Sequence, residues 1–301
     1  MATQAAPTVI PPESEILTAI TSTISDSDKV ILQQEFMPRL AGRYKITSVL
    51  ASGGFAYTYL AEDTQRPSAP ICLVKQLQPA RQDSTFLEVA RRMFHNEAKI
   101  LEKLGNYPQI PQLLAHFEEN EQFYLVEEFI PGNLLSEELK IDERLEEGKV
   151  MTILKEILSI LVYLHAHGVI HRDIKPNNII RSSKDGRLVL IDFGAVKEIQ
   201  PQQQDLTIAI GTRGYTPPEQ LAGQPDFSSD IYAVGMIVIQ ALTGIPPAKL
   251  SVDKTSGNIN WREFTSVGEE LAVIIDKMVR YHFGDRYQSA TSVLKDLENL
   301  L

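Results

Sequence analysis

Residues 171–178 read HRDIKPNN, and residues 190–194 read LIDFG. Short apolar runs enclose both segments: GVI stands before the first, NII overlaps its end, and LVL runs into the second. Such runs are typical of short buried strands, so the polar residues between them are predicted to lie on loops. These polar residues are either ordinary solvated loop residues or a set that gathers at one chemical site. The set would comprise Asp173, Lys175, Asn178 and Asp192.

The two segments together resemble the signature motifs of the Hanks-type serine/threonine protein kinases. The resemblance covers about residues 44–301, and the segments VKQL and GTRGYTPPEQ are similar to those of cyanobacterial members. It implies an α+β, bilobal protein-kinase fold. A small antiparallel-sheet N-lobe with one main helix is expected over residues 44–130, and a larger, mainly helical C-lobe over residues 131–301. Residues 1–43 are rich in Ala, Thr, Ser and Pro and are predicted to be a largely disordered extension.

Local sequence patterns predict the same organisation. From Tyr44 onward, the segments YKITSVL, FAYTYLAED and ICLVKQL are short, rich in β-branched and aromatic residues, and separated by Gly, Ser, Pro or Asp. This pattern predicts consecutive antiparallel strands. A helical stretch follows from Thr85 to Leu104, and two more strands are predicted around LLAHFEE and FYLVEEF. After Pro131 and Gly132 the chain is predicted to be mainly helical.

The resemblance implies a role for each of the four polar residues. Phosphoryl transfer needs a carboxylate beside the attacking hydroxyl and metal ions that neutralise the triphosphate. Asp173 is expected to orient the hydroxyl and accept its proton, and Lys175 to steady the γ-phosphate of ATP. Asn178 and Asp192 are expected to hold Mg²⁺, with Mn²⁺ as an alternative ion. Only a carboxylate can both neutralise a bound cation and accept a proton.

An ion pair is predicted between Lys75 and Glu97. Lys75 lies in the apolar strand segment CLVKQL, where an unpaired ammonium is costly, so the strand must present it to an anion. In the following helix, a spacing of 3.6 residues places Glu97 on an apolar face. The other members of that face are Phe86, Ala90, Met93, Leu101 and Leu104. The resemblance assigns the same pair, with Lys75 on the α- and β-phosphates; two unrelated surface charges are the alternative.

The predicted phosphate-covering loop, LASGGFAYTYL at residues 50–60, departs from the family pattern. Ala51 and Ala56 stand where the first and third glycines are usual. Alanine restricts the backbone but keeps an N–H for a phosphate oxygen, so altered affinity rather than loss is expected. A plain hairpin turn is the alternative interpretation of this segment. The nucleotide-binding residues that the resemblance implies are Leu50, Gly53, Gly54, Phe55, Thr58, Lys75, Glu128 and Ile130.

Two further departures lie in the predicted adenine pocket. Leu73 stands where the family usually has a small alanine, and Glu127 occupies the position of an apolar or small residue just before the hinge segment 128–130. Both substitutions shrink or polarise the pocket. A buried Glu127 needs a hydrogen-bonding partner or a raised pKa, and the sequence does not name that partner.

The segment GTRGYTPPE at residues 211–219 resembles the end of a kinase activation segment, with Pro217 in place of the usual alanine. Thr212 is predicted to line the substrate groove. Together with Lys175, this segment favours serine or threonine over tyrosine as the acceptor. The only hydroxyl residue between Asp192 and Gly211 is Thr207, which is a candidate phosphorylation switch that Arg172 and Lys197 could hold through charge-assisted hydrogen bonds.

Two structural contacts are expected in the helical lobe. Asp230, near the start of the apolar helix IYAVGMIVIQAL, is predicted to anchor the catalytic loop, and Arg286 is predicted to pair with Glu219. An ordinary helix-start residue and ordinary surface charges are the alternatives.

Composition narrows the class of partner. The chain of 301 residues has a net charge of −10 and a pI near 5.2, which argues against a surface for nucleic acid or anionic membrane. ATP and proteins that contain Ser or Thr are the expected partners, and the oligomeric state stays open. A single cysteine, Cys72, fits a reducing compartment. No basic residue precedes Lys29, which argues against a signal peptide, and the longest apolar run, Ile231 to Leu242, is too short to span a membrane. A cytoplasmic chain without membrane insertion is therefore expected.

Three functions are compatible with parts of this pattern. The first is an active Ser/Thr protein kinase in signalling that also phosphorylates itself. The second is a pseudokinase scaffold or a weak nucleotide-binding module, suggested by Ala51, Ala56, Leu73 and Glu127. The complete catalytic set speaks against it, because a chain freed from catalysis has no chemical reason to keep that set. The third, a kinase of small molecules, lacks a counterpart to the segment GTRGYTPPE and to the helix of Asp230.

Overall fold

A computed structural model describes residues 39–52, 56–77, 84–120, 122–198 and 211–300. The first part of the described chain forms a six-stranded antiparallel sheet with the strand order β1-β2-β3-β4-β6-β5. The strands are β1 (Arg39–Leu40), β2 (Tyr44–Ser52), β3 (Ala56–Asp63), β4 (Ile71–Leu77), β5 (Leu113–Glu119) and β6 (Gln122–Glu128). One long helix, α1 (Ser84–Leu104), connects β4 to β5 and packs on the sheet. The predicted N-lobe of strands with one main helix is confirmed.

The sheet begins earlier than the sequence predicts. Residues 39–43 were expected to belong to the disordered extension, but Arg39 and Leu40 form β1, which pairs with the start of β2. The reason is apolar burial, because Leu40 lies opposite Tyr44 and both side chains are buried in the core of the sheet lobe. Residues 1–38 lie outside the described part of the chain.

The second part of the described chain is mainly helical, as predicted. Its helices are α2 (Leu135–Glu138), α3 (Glu147–Ala166), α4 (Pro218–Leu221), α5 (Phe227–Thr243), α6 (Glu269–Met278) and α7 (Ala290–Glu298). Helix α5 is buried along nearly its whole length and packs against α3 and α6. A helix that is apolar all round belongs in the core of a large domain. Within the residues that the structure describes, no helix combines the length and the apolar character needed to cross a membrane.

Short strands position the catalytic segments. The strands are β7 (Gly132–Leu134), β8 (Val169–Ile170), β9 (Ile179–Ser182), β10 (Leu188–Leu190) and β11 (Lys197–Glu198). Strand β8 ends directly before segment 171–178 and β9 begins directly after it, while β10 ends just before Asp192. Because β9 pairs with β10 and β8 pairs with β11, the two polar segments meet at one place. The apolar runs in the sequence are these strands, and their side chains are largely buried.

A buried ion pair joins α4 to the segment before α7. Both terminal guanidinium nitrogens of Arg286 donate to Glu219, Nη1 to Oε1 at 2.6 Å and Nη2 to Oε2 at 3.0 Å. The side chains of Arg286 and Glu219 are 0% and 6% exposed. The hydroxyl of Ser229 also donates to Glu219 Oε1, at 2.7 Å. The pair that the sequence predicts is therefore present, and it is buried rather than a pair of surface charges.

Arg286→Met is expected to lower the free energy of unfolding by about 3–5 kcal/mol, because it leaves the Glu219 carboxylate buried without its counter-ion. Urea unfolding followed by circular dichroism measures this loss. Arg187→Met is the matched control, because it breaks an arginine–carboxylate contact with Asp185 at the exposed β9–β10 turn. A loss for Arg286→Met as small as that of the control would contradict the structural role of the buried pair.

Candidate active site

Asp230 on α5 holds the backbone of the catalytic loop. Its Oδ2 accepts a hydrogen bond from the backbone N–H of His171 and its Oδ1 from that of Arg172, each at 2.9 Å. The ring Nε2 of His165 lies 3.0 Å from Oδ2. Arg172 has a φ of 68°, a left-handed conformation that is unfavourable for a residue with a Cβ. Asp230, only 1% exposed, thus stabilises a strained turn, which is the predicted anchoring contact.

Asp173 is the point where the other polar residues of the loop meet. Its Oδ2 accepts hydrogen bonds from Lys175 Nζ at 2.7 Å and from Asn178 Nδ2 at 3.0 Å. Its Oδ1 accepts a hydrogen bond from the hydroxyl of Thr212 at 2.8 Å, and Lys175 also donates to that hydroxyl oxygen at 3.1 Å. Thr212 was predicted to line the substrate groove and lies directly on this carboxylate. The structure shows that an aliphatic hydroxyl can reach Asp173 Oδ1.

Lys75 on β4 lies among three carboxylates. Its Nζ donates to Glu97 Oε1 at 2.6 Å, lies 2.8 Å from Glu127 Oε1 and lies 3.9 Å from Asp192 Oδ1. The structure therefore brings Lys75 and Glu97 together as the sequence predicts. It also names the partner of Glu127 that the sequence leaves open, which is Lys75.

Sheet register explains the contact between Glu127 and Lys75. In the pairing of β4 with β6, Leu73 lies opposite Glu127 and Lys75 lies opposite Leu125. Glu127 and Lys75 are therefore diagonal neighbours on one face of the sheet, within reach of long side chains. Leu73, half-buried, shares that face because side chains on a strand alternate between the two sides.

The charges of this cluster shift the pKa values of its members. Burial alone would lower the pKa of Lys75, but the carboxylates of Glu127, Glu97 and Asp192 outweigh it and hold that pKa well above its usual value. Burial raises the pKa of Glu97 to about 7, although the Lys75 ammonium acts in the opposite direction. One ammonium thus faces an excess of negative charge.

Asp192 and Asn178, the predicted metal-binding residues, offer oxygen ligands of the kind that Mg²⁺ prefers. The Asp192 side chain is half-exposed, and its φ of 65° is again left-handed. Loss of hydration near other protein atoms would raise the pKa of the Asp192 carboxyl, but Lys75 and His171 outweigh this effect and lower it. The group is therefore a carboxylate. The amide nitrogen of Asn178 donates to Asp173, so its side-chain oxygen is the atom that it can offer to a cation. These residues fit the ion, and their role stays a prediction.

The predicted nucleotide-binding residues of the sheet lobe lie around the loop between β2 and β3. Leu50 is exposed on β2, and Thr58 on β3 pairs in register with Ala51 on one side and with Lys75 on the other. This register places Thr58 next to the lysine that is expected to hold phosphate. The tip of the loop, with Gly53, Gly54 and Phe55, lies outside the described residues.

The hinge residues connect the two lobes. Glu128 ends β6, and its backbone N–H donates to Gln112 O at 2.9 Å. Ile130 follows, half-buried, in the short connection that leads to β7. Both lie directly beyond Glu127 on the chain, so the predicted adenine-binding segment borders the charge cluster of Lys75.

Comparison with known proteins identifies the family. The protein kinase domain family matches residues 44–297. The chain belongs to the protein kinase family. It is 43% identical over 269 residues to Serine/threonine-protein kinase B of Synechocystis sp., a match that covers 86% of this chain and 47% of the relative. It is also 43% identical over 267 residues to Serine/threonine-protein kinase PknA of Nostoc sp., with the same coverage.

A more distant relative shows how widely the similarity extends. The chain is 29% identical over 231 residues to Calcium/calmodulin-dependent protein kinase type 1 of Macrobrachium nipponense, over 75% of this chain and 64% of the relative. The chain spans about half the length of the two cyanobacterial relatives, 47% in each. The similarity therefore concerns the kinase domain, residues 44–297, and does not extend to the remaining half of those two relatives.

Two contacts in this kinase-family chain were missed by sequence reasoning. Gln220, buried on α4, donates through Nε2 to the carbonyl oxygen of Arg172 at 2.6 Å and so holds the same strained turn as Asp230. No local pattern distinguishes such a glutamine from a solvated one. The guanidinium of Arg172 donates to the carbonyl oxygens of Ala195 and Val196, which ties the catalytic loop to the residues after the LIDFG motif.

Proposed function

We propose that this chain is a serine/threonine protein kinase that transfers the γ-phosphate of Mg·ATP to Ser and Thr hydroxyls of proteins. The observation that carries the proposal is the convergence of Lys175, Asn178 and Thr212 on the two oxygens of Asp173. A carboxylate held in this way accepts the proton of an incoming hydroxyl without first having to reorient.

In the transfer step, the substrate oxygen forms a bond to the γ-phosphorus while the bond from phosphorus to the β–γ bridging oxygen breaks. The hydroxyl proton passes to Asp173 Oδ1, the oxygen that accepts from Thr212 in the structure. Lys175, which donates to the other oxygen of the same carboxylate, Oδ2, stabilises the transferring phosphate. Asp192 and Asn178 would hold Mg²⁺, which supplies charge neutralisation on the phosphates when it is bound.

Acceptor choice and cellular context rest on similarity and composition. Relatives whose names specify serine/threonine kinases support an aliphatic hydroxyl as the acceptor. The contact of Lys175 with the Thr212 hydroxyl supports the same acceptor. The acidic composition argues against nucleic acid and anionic membranes, which leaves ATP and proteins as the proposed partners. The single cysteine fits the reducing cytoplasm, and the proposed signalling role rests on family membership. A pseudokinase has less support, because the ion pair of Lys75 with Glu97 and the hydrogen bonds of Asp173 are all formed.

Autophosphorylation with radiolabelled Mg·ATP tests the function directly. The expected result is phosphoserine or phosphothreonine after acid hydrolysis. Label only on tyrosine, or no label, would contradict the proposal.

Peptide mapping of the same sample tests the candidate switch Thr207, which lies outside the described residues. Phosphothreonine at Thr207 and slower turnover of Thr207→Ala are expected, because a phosphate there would gain the cationic partners Arg172 and Lys197. A fully active enzyme with unmodified Thr207 would show constitutive activity instead.

A further inference from the structure

Glu127 is a buried carboxylate that the transfer step does not use. It is 2% exposed, and its Oε1 lies 2.8 Å from the ammonium nitrogen of Lys75. Within the described residues, the contact of this oxygen with the Lys75 ammonium is a short ion pair, and no other group hydrogen-bonds to it. Burying a carboxylate in this way is costly, and an apolar residue of similar volume would serve stability at least as well. The stability of the sheet does not explain Glu127.

The position of Glu127 conflicts with the expected work of Lys75. In the proposed function, this ammonium holds phosphate oxygens of ATP. Here Glu97 already lies at 2.6 Å and Glu127 at 2.8 Å, so two protein carboxylates already neutralise this ammonium. A phosphate must therefore enter next to the Glu127 carboxylate or displace it from Lys75. Like charges at such short range repel strongly away from bulk water.

Glu97 and Glu127, the two carboxylates nearest to the Lys75 ammonium, lie on different secondary-structure elements. Glu97 projects from α1, whereas Glu127 lies on β6 in the same sheet as Lys75 and directly before the hinge segment 128–130. The Glu127 side chain therefore stands between the predicted adenine position and the lysine that is expected to hold phosphate. Because its carboxylate contacts Lys75, it acts more strongly on the charged phosphates of a nucleotide than on the uncharged base.

We propose that Glu127 competes with the phosphates of ATP for Lys75: its carboxylate pairs with the ammonium that is expected to bind phosphate and thereby weakens the binding of ATP. The proposal rests on the proposed function, because it takes Lys75 as the phosphate-binding lysine. It makes Glu127 a determinant of nucleotide selectivity that opposes charged phosphates and leaves the uncharged nucleoside unaffected. In the opposite role, Glu127 would position the Lys75 ammonium toward the phosphates. Removal of the Glu127 carboxylate would then weaken ATP binding.

Isothermal titration with ATP, ADP and adenosine in the presence of Mg²⁺ separates these roles. The chains to be compared are the parent, Glu127→Gln, Glu127→Met and the control Glu118→Gln, which removes one negative charge from an exposed position on the neighbouring strand β5. Both Glu127 variants are expected to bind ATP and ADP at least about tenfold more tightly than the parent. Adenosine affinity, and all affinities of the control, are expected to change less than about twofold.

Several outcomes would overturn the proposal. Weaker or unchanged ATP binding by both Glu127 variants would do so, as would a gain for adenosine equal to the gain for ATP, which would point to a wider adenine pocket. If the parent transfers phosphate and the variants bind ATP no more tightly, the competitor role fails while the kinase function stands. If no chain binds any nucleotide, both fail. Thermal melting confirms folding, and Glu127→Met keeps the test valid if the buried amide of Glu127→Gln unfolds the chain.

Discussion

Asp173→Asn is expected to lower the rate of phosphate transfer by about 10³-fold while the chain stays folded. The amide has nearly the same shape as the carboxylate, so the hydrogen-bonded loop can persist. It cannot take up the proton that the attacking hydroxyl must lose. One Asp173 oxygen accepts from Thr212 and the other from Lys175 and Asn178, so the amide nitrogen also replaces one acceptor with a donor.

Steady-state kinetics with a Ser/Thr peptide measures this loss, and ATP titration and thermal melting show whether binding and folding survive. Asp185→Asn is the matched control, because Asp185 is an aspartate on the β9–β10 turn that contacts Arg187 rather than the loop of Asp173. Its activity is expected to equal that of the parent. Comparable rates for Asp173→Asn and the parent would remove Asp173 from the role of base.

Lys75→Met and Glu97→Gln are each expected to reduce kcat/KM for ATP by about 10²-fold or more, and the double variant to be little worse than the worse single one. Residues that act as one unit have non-additive effects, and these two are joined at 2.6 Å. The double-mutant cycle compares the kinetics of the parent, the two single variants and the double variant at one temperature, well below their melting points. Losses that multiply would mean that the two side chains act independently.

Lys75→Met is also expected to lower the free energy of unfolding by about 3–5 kcal/mol. Removal of the ammonium leaves Glu97 and Glu127 buried near each other without a counter-ion, which is far more costly than the loss of the pair itself. Adding Glu127→Gln to Lys75→Met should recover part of this stability. Urea unfolding of the single and double variants checks it, and an unchanged or lower stability of the double variant would contradict the role of charge.

The pairing of Lys75 with Glu97 could be predicted because each residue violates its local pattern. A lysine within the apolar strand β4 and a glutamate on the apolar face of α1 both require a buried partner of opposite charge. In the structure, Glu97, Leu101 and Leu104 of that face are buried, as the period of 3.6 residues predicts. Local periodicity encodes burial, and two buried opposite charges have few ways to be satisfied.

The start of the sheet lobe shows where composition misleads. Residues 39–43 follow a long stretch rich in Ala, Thr, Ser and Pro and were assigned to it. A strand of only two residues has no period to detect. Leu40 is ordered because it is buried beside Tyr44 once β1 pairs with β2, and this contact exists only in the folded sheet.

The sequence by itself determined the family, the strands from Tyr44 onward with their one main helix, and the residues that surround Asp173, because motif spacing and apolar periodicity are local properties of the chain. Only the tertiary structure decided that Glu127 contacts Lys75 and that Gln220 joins Asp230, the predicted anchor, at the strained turn of Arg172. The partners in these contacts are separated by helices and strands whose packing and register no local pattern specifies. Strands β4 and β6 are separated in sequence by α1 and β5, and their register in the sheet brings the Glu127 carboxylate to Lys75, the lysine that is expected to bind phosphate.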